Sequence, residues 1–411
     1  MKGLNTSKDA GELVSRTTDV RTACVVLEMD AEAYEKLKAT QDSFRKACNF
    51  LAGIVRQDEK REKRLWQRYN LHHEAYYQVR EAVPELGAQL TCNAVRAVSA
   101  MYKSLLSNNP KLAMNKGEPL PEIVFKNIGI HLDARTLTFS ADRQSASVFT
   151  TQKRVSVRLC PGAFQKEILD SGKWAECELV FKKDGNGRRW CQLHIAVERK
   201  LDVPNLSRLK EEEVLGVDVG ENNLAATSDG HLFKAGKLKN DRDKFLSHRT
   251  RLQRNGSRNA KRTLKRISGR ERRHVEQVNH VVSKQIVKEA KAKGKRLIVL
   301  EDLTHIRERI RATLRVRARL HRWPFRELQQ MIVDKACRVG IRVMFVDPKY
   351  TSQTCSACGA IGKRKKHRFE CNCGYRAHSD LNAGRNLQGL GYRLVTQGPD
   401  VNRPDATLSR Q

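Results

Sequence analysis

The chain has 411 residues, with 79 Lys or Arg against 46 Asp or Glu, and a formal net charge of +33. Its length allows roughly two to four domains with cores of their own. The charge indicates a polyanionic partner, for which nucleic acid is favoured over an anionic membrane surface. No apolar run approaches the length of about 18 residues that spans a bilayer, and the first residues lack the apolar core of a signal peptide. We therefore expect a soluble, intracellular protein whose eleven cysteines stay reduced.

The N-terminal region is predicted to contain one strand followed by helices. "VRTACVVLEM" (20–29) is typical of a strand. Asp30 is a suitable cap for the next helix, whose apolar stripe consists of Tyr34, Leu37, Phe44, Ala47, Leu51 and Val55. Two more helices are predicted, at about 59–83 and 88–106, before a linker at 107–121.

Four aromatic residues cluster in the second predicted helix: Trp66, Tyr69, Tyr76 and Tyr77. They could pack in a core or stack on nucleic-acid bases. Core packing is favoured, because it is the more common role of large aromatic side chains.

The pattern changes from helical to alternating over residues 122–198. The clearest case is 176–198, where apolar residues alternate on both sides of a turn at Asp184–Gly187. This region is predicted to be an antiparallel β module without catalytic residues.

A third region begins at Glu213. Residues 214–235 are predicted to form three short strands joined by tight turns, followed by a long basic helix. Two further strands are predicted at 296–302 and 340–348, with a helical stretch between them. Three antiparallel strands followed by alternating helices and strands is the order of an RNase H-like fold.

Several carboxylates lie where these elements end. Asp218 shares a strand face with Gly216 and Gly220, which would leave room for a metal and a phosphate, and Asp347 ends the last strand. Each acid alone is more often a solvated group at a strand end or helix start. Phosphodiester cleavage, however, uses carboxylates that hold two Mg²⁺ ions. The residues that fit this requirement together are Asp218, Glu301 and Asp380.

Two cysteine pairs indicate a metal site. "CSAC" (355–358) and "CNC" (371–373) are separated by twelve residues, and a glycine follows each pair. This spacing favours one structural Zn²⁺ held by Cys355, Cys358, Cys371 and Cys373, because four thiolates leave zinc no open position. The tight second pair leaves it open whether His367 or His378 replaces one cysteine.

Three basic tracts flank these residues. Residues 242–273 carry thirteen Lys or Arg against two acids, 306–322 carry seven Arg, and "KRKKHR" spans 363–368. One such tract is usually a solvated face, but three around a proposed active site indicate contact with a phosphate backbone.

The motifs then become specific. "LGVDVGENNLA", "IVLEDL", "WPFRELQQMIVDKACRVGIRVMFVDPKYTSQTCSACG" and "FECNCGYRAHSDLNAGRN" closely resemble the transposon-encoded nuclease family TnpB and its descendants, the compact type V CRISPR effectors. The resemblance covers 213–390 well and is weaker but consistent for 20–200. Two departures are the Cys-x-Cys pair and Gly384, where a second alanine is usual.

The resemblance implies a multidomain α+β protein. An N-terminal wedge-like β-barrel with an inserted helical recognition domain would precede an RNase H-like (RuvC) α/β nuclease domain with an inserted zinc ribbon. The implied ranges are 1–30 and 116–205 for the wedge barrel, 31–115 for the recognition domain, 206–350 and 377–395 for RuvC, 351–376 for the zinc ribbon, and 396–411 for a disordered tail.

The resemblance also implies the function. A RuvC nuclease with the catalytic residues Asp218, Glu301 and Asp380, two Mg²⁺ ions and the cysteine-bound zinc would cleave DNA beside a short flanking motif, guided by RNA. Its partners would be a guide RNA and double- and single-stranded target DNA, in the cytoplasm and nucleoid of a bacterium or archaeon, as a monomer or dimer. The alternatives are a compact CRISPR effector, a guide-dependent DNA-binding repressor and a DNA-joining transposase.

Overall fold

The computed structural model describes residues 12–114, 117–303, 325–347 and 351–397. The chain forms two compact units: Thr18–Lys200, and Met1–Thr17 together with Leu201–Gln411. None of the helices within the described ranges carries an apolar stretch of membrane-spanning length.

The elements of the described ranges are as follows. The strands are β1 Glu12–Val14, β2 Thr18–Glu28, β3 Ile130–Leu132, β4 Leu137–Phe139, β5 Ser145–Thr150, β6 Lys153–Cys160, β7 Lys173–Lys183, β8 Arg189–Lys200, β9 Val214–Asp218, β10 Asn223–Thr227, β11 Leu232–Lys234, β12 Leu297–Glu301, β13 Arg342–Val346, β14 Lys363–Lys365, β15 Arg368–Glu370 and β16 Arg376–His378. The α-helices are α1 Ala31–Gln57, α2 Arg68–Ala82, α3 Ala88–Asn108, α4 Pro110–Met114, α5 Ala163–Asp170, α6 Gly236–Asn255, α7 Arg258–Ala292, α8 Phe325–Arg338 and α9 Ser379–Gln397, and two 3₁₀ turns span Pro84–Leu86 and Glu211–Glu213.

The unit Thr18–Lys200 is built on a seven-stranded antiparallel sheet in the order β3-β7-β8-β2-β6-β5-β4, a nearly closed β-barrel. The predicted alternation is present, because the apolar residues of the β7–β8 hairpin are buried on one face: Cys177, Leu179, Phe181, Cys191, Leu193, Ile195 and Val197. The predicted turn is stabilised by Asp184, whose Oδ1 accepts the amides of Asn186 and Arg188.

Helices α1 to α3 share one hydrophobic core with this sheet. Asp30 caps α1 as predicted, since its Oδ1 accepts the amide of Ala33 at 2.7 Å. The predicted stripe faces the core, with Tyr34 half-buried and its other members buried.

Two predicted boundaries in this unit were wrong. The second helix begins only at Arg68, because the Asp58 carboxylate accepts the amides of Lys63 and Leu65 and holds the preceding residues in turns. The first part of the predicted linker 107–121 is helical, because α3 extends to Asn108 and α4 spans Pro110–Met114. Pro110 is tolerated there because it lies in the first turn of α4.

The aromatic residues of the second predicted helix divide between the core and the surface. Trp66 packs against the core, and Tyr76 is half-buried and stacks on His72 with ring centroids 4.9 Å apart. Tyr69 and Tyr77, however, are 79% and 81% exposed. Core packing was therefore the wrong prediction for these two tyrosines, which lie on the solvent face of α2.

The second unit contains a six-stranded sheet in the order β1-β13-β12-β9-β10-β11. β9, β10 and β11 are antiparallel, whereas β12 runs parallel to β9 and to β13, which is the strand order expected from the sequence. Helices α7 and α8 cover one face, where they share a core with Leu215, Val217, Ile298 and Leu300.

Strand β1 was not predicted. Glu12–Val14 pairs antiparallel with β13, so the strand expected within 1–30 for the wedge barrel is confined to β2. Three residues are too few to show a period in the sequence. The arginine-rich residues 306–322 lie outside the described residues. The tail was predicted to begin at residue 396, but residues 396 and 397 belong to α9, and the rest of the tail lies outside the described residues.

Candidate active site

Two of the predicted carboxylates end neighbouring parallel strands. Asp218 is the last residue of β9 and Glu301 the last of β12. Leu300 lies opposite Val217 in the ladder, so the next residue of each strand carries its carboxylate to the same edge of the sheet.

The third carboxylate comes from a helix. Asp380 is the second residue of α9, which packs on the other face of the sheet through Leu387 and Leu390. A Cβ added at Gly216 of β9 would collide with the carbonyl oxygen of Gly384 and lie 2.6 Å from the amide nitrogen of Gln388. The absence of a side chain at Gly216 therefore lets α9 lie against β9 and bring Asp380 towards Asp218.

This contact corrects one sequence interpretation. Gly216 was expected to leave room for a metal and a phosphate, but its face is filled by the helix backbone. Gly384, which departs from the family pattern, is also closely packed. A Cβ there would lie 3.1 Å from the amide nitrogen of Ser228 and 3.2 Å from the carbonyl oxygen of Ala226.

The electrostatics of the three acids show that they form one cluster. Burial raises the pKa of Asp218 well above its ordinary value, and the charges of Glu301 and Asp380 raise it further. Burial likewise raises the pKa of Glu301, against the lowering effects of the Thr351 hydrogen bond and the Arg364 charge. Asp380 is buried and the other two carboxylates are half-buried, and like charges converging in such a site are typical of groups that bind cations.

Asp380 is held by three side chains. Asn223 Nδ2 donates to its Oδ2 at 2.8 Å, and Ser379 Oγ donates to its Oδ1 at 3.2 Å. Arg364 of β14 also donates to Oδ1, at 3.4 Å. Arg364 lies within the predicted basic tract 363–368, but nothing in that tract distinguished the one arginine that reaches the carboxylates.

Glu301 is held at both its side chain and its backbone. Thr351 Oγ1 donates to Glu301 Oε1 at 2.6 Å, and Gln329 Nε2 donates to the Glu301 carbonyl oxygen at 2.8 Å. Neither partner was predicted, because Thr and Gln are neutral and lie in other elements. Asp347 follows β13, next to β12, and its charge contributes to the raised pKa of Glu301.

The donor set fits Mg²⁺. This ion prefers carboxylate oxygens and is bound through a few of them, with water and substrate phosphates completing its coordination. Asp218, Glu301 and Asp380 supply such oxygens from two strands and one helix. Arg364 also lines an adjoining cavity of about 700 Å³ with Asn222, Ser352, Gln353, Lys366 and His367, a polar and basic lining that suits a phosphodiester.

The clustered charges lead to a prediction about stability. Because the folded-state pKa of Asp218 exceeds the ordinary 3.8, the folded protein binds the extra proton. The free energy of unfolding of the zinc-loaded protein in Mg²⁺-free buffer should therefore fall as pH rises from 3.8 towards the raised pKa. Asp218→Asn should weaken this dependence and raise the melting temperature in the same buffer at pH 8 by a few degrees, about 1 kcal/mol. Thermal unfolding at pH 5 and pH 8 measures both. A lower melting temperature for the variant at pH 8 would contradict the cluster.

The four predicted cysteines also come together. All four sulfurs lie within 4.8 Å of one another, with Cys355 and Cys373 at 3.8 Å and Cys358 and Cys371 at 3.6 Å. Zn–S bonds of about 2.3 Å in a tetrahedron place sulfurs about 3.8 Å apart. The geometry of this cysteine cluster therefore fits a zinc-sized ion.

The loops around the sulfurs are shaped for thiolates. Gly359 and Gly374 follow the two pairs with φ of +78° and +88°, and each donates its amide to the carbonyl of the first cysteine of its pair. The Tyr375 amide and the neighbouring thiols of Cys358 and Cys371 lower the pKa of Cys373 to about 7. A thiolate is thus accessible at neutral pH. The Ala360 amide lowers the pKa of Cys358, but the hydrogen bonds with Cys373 and Cys371 outweigh it and raise that pKa to about 12.

The two histidines lie beside Asp380 rather than among the cysteines. His367 and His378 stack with ring centroids 5.4 Å apart, and each offers a nitrogen within 4.8 Å of an Asp380 oxygen. His378 Nδ1 accepts the Asp380 amide at 3.2 Å, which places the proton of the neutral ring on Nε2. His367, His378 and Asp380 thus form a second group close enough to share a cation, separate from the four cysteines.

The first basic tract lies on α6, α7 and the turn that joins them. Arg242 and Arg249 belong to a structural network, because both pair with the buried Glu271 and join the two helices. The other eleven Lys and Arg of 242–273 are exposed.

The sequence matches two family models. Residues 325–387 match the model described as "Cas12f1-like, TNB domain", and residues 194–307 match the OrfB_IS605 model, described as "Probable transposase". The first match contains Asp380 and the four cysteines, and the second contains Asp218 and Glu301.

Individual relatives agree with these matches. The chain is 27% identical over 353 residues to the CRISPR-associated endodeoxyribonuclease Cas12f1 of Sulfoacidibacillus thermotolerans, covering 77% of this chain and 80% of that protein. It is 28% identical over 269 residues to a TnpB-like protein of Methanocaldococcus jannaschii, covering 61% of this chain and 92% of that protein. The fold resembles a cryo-EM structure of a Cas12f1–sgRNA–target DNA complex with a TM-score of 0.57 at 13% identity, covering 91% of this chain and 99% of that one. The chain is thus similar in sequence to TnpB-like and Cas12f1 proteins.

Proposed function

We propose that the protein is an RNA-guided DNA endonuclease that hydrolyses phosphodiester bonds with Mg²⁺ held by Asp218, Glu301 and Asp380. The observation that carries the proposal is the convergence of three carboxylates from segments far apart in the sequence. Asp380 is buried, Asp218 and Glu301 are half-buried, and the charges of Glu301 and Asp380 raise the pKa of Asp218. Relatives named as an endodeoxyribonuclease and a TnpB-like protein support it.

The strand order supports the domain assignment. Three antiparallel strands followed by two parallel ones, with acids at the ends of the first and fourth, suit an RNase H-like (RuvC) nuclease domain over 206–350 and 377–395. The barrel-like sheet and helices of Thr18–Lys200 suit a wedge with a recognition domain at 31–115. The three-stranded sheet β14-β15-β16 beside the cysteines suits a zinc ribbon over 351–376.

The residues divide the chemical work. Mg²⁺ held by the three carboxylates would supply activation of the attacking water and charge stabilisation of the leaving oxygen, and a second ion would divide these two roles. Asp218, Glu301 and Asp380 supply the negative charge that binds the metal, while Asn223 and Thr351 orient the carboxylates of Asp380 and Glu301. Arg364 is placed to exchange its contact with Asp380 for one with the scissile phosphate.

The exposed basic residues of α6 and α7 would hold the backbone of the guide RNA or of the DNA paired with it. In this role they contribute affinity without sequence preference, because phosphate contacts do not distinguish bases. Base pairing with the guide would then select the target.

Three alternatives can be compared with this proposal. A compact CRISPR effector would have the same active site and would differ in the origin of its RNA. Because the chain is similar to a Cas12f1 protein, the origin of the bound RNA should be tested. A guide-dependent repressor or a DNA-joining transposase is less compatible, since all three acids are present and a cysteine cluster precedes the third.

The experiment is to purify the protein after expression with its native flanking DNA, and to sequence the RNA that co-purifies. We expect one RNA species of defined sequence, and Mg²⁺-dependent cutting of a plasmid that carries the matching target beside a randomised flank. RNA from a CRISPR array would identify the effector alternative. Absence of a defined RNA together with DNA strand joining would identify a transposase and overturn the proposal.

A further inference from the structure

One short segment connects the acid cluster to the cysteine cluster. Residues 351–356 follow β13 at a short distance and end beside Cys355. At the start of the segment, the buried Thr351 donates its hydroxyl to Glu301 Oε1 at 2.6 Å. Thr351 lies in the motif "YTSQTCSACG", part of the sequence that resembles the TnpB family.

Two asparagines of α9 hold this segment. Asn386 Nδ2 lies 2.7 Å from the carbonyl oxygens of both Thr351 and Thr354. Asn382, which is fully buried, donates to the Thr354 carbonyl at 2.7 Å and accepts the Ser356 amide at 3.0 Å. Residues four apart lie on one face of a helix, so both asparagines bind the segment from the helix that carries Asp380.

We propose that Thr351 is a positioning residue for the catalytic carboxylate Glu301, and that Asn382 and Asn386 fix Thr351 relative to Asp380. The 351–356 segment then sets the relative placement of two of the three carboxylates. This inference rests on the proposed function in that Glu301 and Asp380 are taken to be metal ligands.

The physical argument concerns orientation. A glutamate has three side-chain torsions, and the hydroxyl of Thr351 holds one of the two carboxylate oxygens of Glu301 in place. Gln329 fixes the Glu301 backbone but leaves the carboxylate free to rotate. Loss of a group that orients a metal ligand usually lowers metal affinity or activity by about 10–100-fold.

The test compares Thr351→Val with Thr351→Ser. Valine keeps the shape of threonine without the hydroxyl, and serine keeps the hydroxyl. Mn²⁺ binding is measured from the electron paramagnetic resonance signal of the free ion, on protein whose cysteine cluster is already loaded with zinc. Thr351→Val should weaken Mn²⁺ binding by about tenfold or more, and Thr351→Ser should bind like the unmodified protein.

Cleavage supplies a second readout. For Thr351→Val the Mg²⁺ concentration that gives half-maximal cutting should rise by a similar factor, with much of the rate recovered at saturating Mg²⁺. A purely structural role would instead lower the rate equally at all Mg²⁺ concentrations and leave Mn²⁺ affinity unchanged. Thr396→Val is the matched control, because Thr396 is exposed near the end of α9 and its hydroxyl donates to the Tyr392 carbonyl of the same helix.

A second variant distinguishes the loss of the Thr351 hydroxyl from a failure to fold. If Thr351→Val does not fold, Asn386→Ala, which keeps the Thr351 hydroxyl but removes its support, should still weaken Mn²⁺ binding several-fold. Unchanged Mn²⁺ affinity in Thr351→Val, or in Asn386→Ala where only that variant folds, overturns the inference. If the unmodified protein binds Mn²⁺ but cuts no DNA, the proposed function is wrong. The Mn²⁺-binding comparison would still test the positioning role of Thr351.

Discussion

Alanine at Asp218, Glu301 or Asp380 is expected to reduce DNA cutting about 10³-fold or more, because metal-based charge stabilisation supplies several kcal/mol and each 1.4 kcal/mol is a factor of ten. Binding of guide RNA and target DNA should change little, since the exposed basic surface of α6 and α7 is untouched. Cleavage rates and filter-binding affinities, measured on the same preparations, separate the two effects.

The matched control is Asp334→Ala. Asp334 lies on α8 of the same unit, is partly exposed, and pairs with Arg16 rather than with the acid cluster. This variant should cut at nearly the unmodified rate. Full activity in Asp380→Ala would remove Asp380 from the active site and with it the three-carboxylate assignment.

Cys358→Ser is expected to lower bound zinc and DNA cutting together, with cutting reduced about tenfold or more. Residues 351–376 are too few to form a hydrophobic core, so their fold should depend on the metal. This segment contacts Glu301 through Thr351 and Asp380 through Arg364. Loss of its fold should therefore disturb both carboxylates, whereas RNA affinity should fall less.

The measurements are zinc content by mass spectrometry, cleavage rate and RNA affinity. Cys160→Ser is the matched control, since Cys160 is an exposed cysteine of the other unit. Cys371→Ser and His378→Ala then test the ligand set. Full zinc in Cys371→Ser together with zinc loss in His378→Ala would replace the four-cysteine site by one that includes the histidine.

Much of the second unit could be predicted because its signals are local. The strands around Asp218 and Glu301 are short apolar runs with a carboxylate at the end, and side-chain alternation is visible within a few residues. The cysteine pairs are likewise visible as short spacings, and the structure brings their sulfurs together. The identity of the bound metal and the catalytic roles stay predictions.

Other features escaped prediction because they depend on particular contacts rather than on residue type and spacing. The helix predicted from residue 59 begins at Arg68 because the Asp58 side chain binds nearby amides, and the exposure of Tyr69 and Tyr77 depends on which face of α2 meets the core. β1 is defined by its pairing with β13, more than 300 residues away in the chain. A pattern of residue types does not contain such pairings.

The sequence by itself determined which groups are available: three acids at the ends of elements, two cysteine pairs, and a large excess of positive charge. Only the tertiary structure decided how these groups are held. It showed that Gly216 admits a helix rather than a substrate, that Arg364 reaches Asp380, and that Thr351 and Asn386 link the two clusters. The physical reason is the separation along the sequence over which each effect acts. A residue's type and spacing set its chemistry. Steric contacts and hydrogen bonds between segments far apart in the chain arise only when the chain folds.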